Sequence, residues 1–123
     1  MTSQAAARAV AGPRWESFSD AELLAMRIRD LGATIAGSPL EPRIEQLYQE
    51  LAAREIAVRP VCYVGDEWFS PAGMCAIAAP FYLTHPRLEA LERSQMGEVR
   101  GGSPDECQRY LRHECGHALD HAY

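Results

Sequence analysis

Residues 103–123 read SPDECQRYLRHECGHALDHAY. The opening Ser103-Pro104-Asp105-Glu106 is a helix start: a serine to cap, a proline at the first helical position, and a glutamate three residues after the serine. The pattern predicts that Ser103 accepts from the backbone N–H of Glu106 while Glu106 reaches back to the N–H of Ser103. A helix then runs through CQRYLRHECGHALDH. Inside it, His113-Glu114-Cys115-Gly116-His117 has the form H-E-x-x-H.

On a helix, residues four apart lie roughly 6 Å apart on nearly one face. His113 and His117 can therefore converge on one ion, with Zn–N distances of about 2.0–2.1 Å. Glu114 sits beside them, turned off the ligand direction, where a carboxylate serves as general base toward water. The plainer alternative is a helix with two exposed or hydrogen-bonded histidines. Asp120, three residues past His117, either orients that imidazole as a carboxylate partner or is a solvated acid near a helix end. Gly116 inside the helix suggests close approach of a neighbouring backbone, or simply a small residue.

Upstream, SFSDAELLAMRIRDLG predicts a helix capped by Ser19 and stopped by Gly32. RIEQLYQELAAR predicts a second, with Pro42 in its first turn and Ile44, Leu47, Tyr48 and Leu51 at helical spacing. IAVRPVCYV reads as a strand and GDEWFSPAG as a turn. MCAIAAPFYL reads as another strand, with Pro80 at an edge or at the strand's end. HPRLEALERSQM predicts a further helix with Pro86 in its first turn, and GEVRGG a turn. Residues 1–16, rich in Ala and small polar residues, read as a disordered tail. The expected class is α+β: about four helices with a small β-sheet, and H-E-x-x-H on the C-terminal helix.

Bulk properties narrow the function. The net charge of -5, from 17 acidic and 12 basic residues, argues against a nucleic-acid partner. No stretch approaches the roughly 20 apolar residues needed to cross a bilayer, so no membrane role is expected. The start lacks the apolar core of a secretory signal, which points to a cytoplasmic protein. Four cysteines without a C-x-x-C pair fit free thiols in a reducing compartment.

A catalytic zinc site needs three protein ligands and one open position. His121 lies eight residues from His113, about 12 Å along a straight helix, too far to share its ion. His85, Glu98, Asp105 and Glu106 remain as candidates. His85 reads better as a cap before Pro86, and Glu106 as part of the Ser103 cap.

The chain resembles the bacterial zinc-binding metallopeptidase family, a zincin-like group. The similar stretches are SDAELLAMRIRDLG, LEPRIEQLYQELAAREI, GDEWFSPAG, AIAAPFYLTHPRLEALE and, most diagnostic, LRHECGHALDHAY, together about residues 15–123. The resemblance implies a single zincin-like domain over 17–123 that forms the N-terminal part of a longer family domain. It implies zinc bound by His113 and His117, Glu114 as catalytic base, and a peptide or protein substrate. In the family, a later acidic segment supplies a carboxylate ligand, as in gluzincins; these 123 residues do not include it. It also implies a strand bordering the cleft, for which AIAAPFYL is the candidate, with an edge able to pair with an extended peptide. Two expectations follow: a zinc-dependent metallopeptidase, or a truncated, non-catalytic metal-binding or interaction domain lacking the third ligand. In either case the uncovered cleft side is expected to favour self-association.

Overall fold

The computed structural model describes residues 12–122. Contacts divide the chain into two compact units, Met1–Gly32 and Ala33–Tyr123. Most of the tail expected over 1–16 lies outside the described residues. Its end is ordered structure: Arg14–Ser17 forms a 3-10 turn in which Trp15 is buried, and the Trp15 indole donates to the Leu31 carbonyl at 2.8 Å.

In the first unit, Ser19 caps helix α1 (Asp20–Leu24) with a full capping box. Ser19 Oγ accepts from Glu22 N at 3.2 Å, and Glu22 accepts from Ser19 N at 3.0 Å. The helix is shorter than expected. It stops after five residues, and Ile28–Leu31 forms a separate 3-10 turn ended by Gly32 at φ 64. Leu24, Ile28 and Leu31 keep helical 4-3 spacing, whereas Leu23 and Met26 fall off that face, so the five apolar residues Leu23, Leu24, Met26, Ile28 and Leu31 do not form one narrow stripe. Only Leu23 and Leu31 of this set are buried.

The second unit holds the remaining elements. Helix α2 (Leu40–Ala53) buries Leu40, Ile44, Leu47 and Leu51, a 4-3-4 spacing that draws one apolar stripe. Pro42 falls in its first turn, where backbone N–H groups have no partner within the helix to lose. The Tyr48 hydroxyl donates to the Pro60 carbonyl at 2.6 Å and ties this helix to the entry of strand β1 (Val61–Gly65). Strand β2 (Ala76–Pro80) is buried at every residue and pairs parallel with β1, from Val61 opposite Ala76 to Gly65 opposite Pro80. Pro80 ends the strand, where no further ladder bond is needed from it.

The edge of β2 expected to be open is not. Phe69, from the loop between the strands, bridges antiparallel to Ala78: Ala78 N donates to Phe69 O at 2.7 Å, and Phe69 N to Ala78 O at 3.2 Å. β1 is the more exposed strand, with Val61 64% and Tyr63 38% exposed. A 3-10 turn (Phe81–Leu83) leads to helix α3 (Pro86–Met96), capped by His85, whose Nδ1 accepts from Arg87 N at 3.0 Å. Gly97 at φ 79 closes α3.

Helix α4 (Pro104–Ala122) packs on α2 and on β2. Its core face carries Cys107, Gln108, Leu111, Cys115 and Ala118. The architecture is α+β, with four helices and a two-stranded parallel sheet among the described residues. No helix among the described residues is long and apolar enough to cross a membrane.

Candidate metal centre

Half of the expected Ser103 cap forms. Ser103 Oγ accepts from Glu106 N at 3.2 Å, but Glu106 Oε1 accepts from Gly101 N at 2.6 Å instead of from Ser103. The carboxylate therefore ties the start of α4 to a left-handed glycine at φ 88. A side chain at Gly101 would come within 3.0 Å of Trp68 and 3.2 Å of Leu83. Trp68 packs into that space. Its indole donates to the Arg100 carbonyl at 3.0 Å, and its ring lies flat on Tyr110, with centroids 5.3 Å apart and planes 7° apart.

Three residues beyond Tyr110 comes His113. His113 and His117 are both exposed, on the side of α4 away from buried Leu111, Cys115 and Ala118. Their rings converge: centroids are 4.8 Å apart, planes cross at 82°, and the two Nε2 atoms lie 3.3 Å apart. Two nitrogens bound to one tetrahedral zinc at about 2.0–2.1 Å stand about 3.3–3.4 Å from each other. The Nε2–Nε2 separation of the pair is thus the one that two corners of a zinc tetrahedron require. The same separation suits an Nε2–H···Nε2 hydrogen bond when one ring is the donor tautomer.

Glu114 lies beside the pair, half-buried, with no hydrogen bond or ion pair to another side chain among the described residues. It is thus uncommitted, as a base must be. Asp120 is exposed, and among the described residues no hydrogen bond joins it to either imidazole. Cys115, between the histidines in sequence, faces the core. Burial pushes its thiol up to about 11, helped by the nearby Cys75 and Cys62.

The third ligand is not assembled. Among the described residues no group of three His, Cys, Asp or Glu is placed to hold a metal. His121 Nδ1 lies 3.2 Å from the Met74 carbonyl, which fastens the end of α4 to the segment entering β2. His85 caps α3, Glu106 holds Gly101, and Asp105 is exposed in the first turn of α4. Glu98, like Glu106, borders the same cavity as His113. That open cavity, of about 500 Å³, is also lined by Arg100, Arg109 and Tyr110, and the Glu98 carboxylate is 3.7 Å from Arg100.

Among the described residues Gly116 has no neighbour within 4 Å of where a Cβ would stand, and no strand approaches it. It opens instead onto a groove of about 470 Å³ on another flank of α4, walled by Leu47, Leu51, Ile56, Arg112 and Leu119. The Trp68–Tyr110 stack and the cavity beside His113 went unread in the sequence. Tyr110 had a signal, since it shares the His113 face at i−3; Trp68, in a turn-rich loop, had none. Comparison with protein-family models, with curated proteins and with solved structures finds no match.

Proposed function

We propose that this chain carries the metal-binding helix of a zincin-like, zinc-dependent metallopeptidase. One observation carries the reading: the 3.3 Å separation of the His113 and His117 Nε2 atoms on an outward-facing helix surface, with an uncommitted Glu114 alongside. His113 and His117 would hold the ion. Zinc, when bound, supplies Lewis acidity toward water and a peptide carbonyl. Glu114 takes a proton from the attacking water and returns it to the departing amine nitrogen. The four free thiols support a reducing, cytoplasmic setting.

A second reading is a metal-binding module without turnover. It is favoured by the absence, among the described residues, of a third ligand grouped with the pair. Hydrolysis of a mixed peptide library, followed by mass spectrometry with zinc supplied, separates the two. The peptidase reading expects cleavage by the parent chain and none by Glu114→Gln; cleavage that survives Glu114→Gln removes it. Under both readings we expect the uncovered cleft side to favour self-association. A monomer in sizing experiments at high concentration would refute that part alone.

A further inference from the structure

We propose that Tyr110 and Arg109 form a subsite beside the histidine pair that takes the C-terminal aromatic residue of a peptide, its ring on Tyr110 and its carboxylate on Arg109. This rests on His113 and His117 being the metal pair, and it adds a substrate class to that centre.

The aromatic half is built. Tyr110 is held from behind by Trp68, which is fixed in turn by its bond to the Arg100 carbonyl and by its seat against Gly101. Trp68 is not a wall of the cavity, whereas Tyr110 is, so the Tyr110 surface left uncovered by Trp68 faces the open space. A ring braced in this way loses little freedom when a second ring stacks on it. A cavity of about 500 Å³ admits a phenyl-bearing residue.

The charged half follows from which ions are already engaged. Of the groups that line the cavity, Glu106 is used by Gly101 N, and Glu98 and Arg100 lie 3.7 Å from each other. Arg112, on the flank of the same helix, is held by Glu50 at 2.7 Å. Arg109 has no ion pair or hydrogen bond through its side chain among the described residues. It is one turn before His113 on the same helix face, roughly 6 Å away along the axis. A guanidinium there offers a planar fork to a carboxylate. A substrate so anchored would present its last peptide bond to the histidine pair and Glu114.

The test uses the metal-free full chain, so that it is independent of zinc affinity. N-acetyl-L-phenylalanine, its amide and N-acetyl-L-leucine are titrated, and backbone amide shifts are read by NMR. The expected result is shifts centred on residues 98–113, with the free acid of phenylalanine binding at least about fivefold tighter than either comparison compound. Arg109→Gln should abolish the preference for acid over amide. Tyr110→Leu should abolish the preference for phenylalanine over leucine, and Tyr110→Phe should keep it. No binding, equal binding of the three compounds, or shifts confined to another surface would overturn the subsite. The metal-pair reading fails separately, if zinc does not bind the parent chain.

Discussion

Arg112 donates from Nε and from Nη2 to the two carboxylate oxygens of Glu50, at 3.0 and 2.7 Å, across 62 residues of sequence. This fork joins α4 to α2 directly next to His113. The Arg112 hydrogen bond holds the Glu50 carboxyl below its ordinary value of 4.5, against a smaller opposing effect of burial. A depressed carboxylate stabilises the fold above its unfolded value, and that contribution fades as the pH falls below 4.5 through the folded value. Glu50→Gln should therefore lower Tm at pH 7, and the difference from the parent should shrink as the pH is taken from 4.5 down to 3. Thermal melts at pH 7 and pH 3 check this; an unchanged gap at pH 3 would show that the fork is not its source.

Gly101→Ala should destabilise by about 2 kcal/mol, because a side chain there must accept a positive φ and also displace Trp68. Near-ultraviolet circular dichroism should lose the Trp68–Tyr110 signal at the same time. A variant with parent stability and an intact aromatic signal would contradict the packing described.

The two sides of α4 should respond differently to truncation. Leu111 is fully buried, so Leu111→Ala should cost about 2–5 kcal/mol. His113 is exposed, so His113→Ala without metal should stay within about 0.5 kcal/mol of the parent. Urea unfolding in the presence of a chelator measures both. A large cost at His113 would mean that the imidazole has a structural role instead of an outward-facing one.

Gly116→Ala should stabilise by about 1 kcal/mol, since helix propensity improves and the new methyl meets open space. Destabilisation in the same unfolding experiment would reveal a neighbour at that position.

The helix starts were the most legible features of the sequence. Ser19, the His85-Pro86 junction and Ser103-Pro104 act locally, through bonds spanning two or three residues, and each appears where its residues predict. The strands were legible as apolar runs, but their pairing was not. Parallel register and the Phe69 bridge depend on a loop whose path no local pattern encodes. Helix α1 ends early although Leu24, Ile28 and Leu31 keep helical spacing, because Leu24 and Ile28 stay exposed and that face is not packed as a stripe. The convergence of His113 and His117 follows from the four-residue interval and was fully legible. Glu106 turned to Gly101 because the chain before Ser103 folds back as a left-handed turn, which a capping pattern does not record.

We propose that two imidazoles on one helix face hold a zinc ion that Glu114 serves but does not bind. Isothermal titration of chelator-treated protein with zinc, backed by elemental analysis after dialysis, tests it most directly. One zinc per chain is expected for the parent and for Glu114→Gln, and none retained by His113→Ala or His117→Ala. A parent chain that takes up no zinc, or histidine variants that hold it as well as the parent, would contradict it.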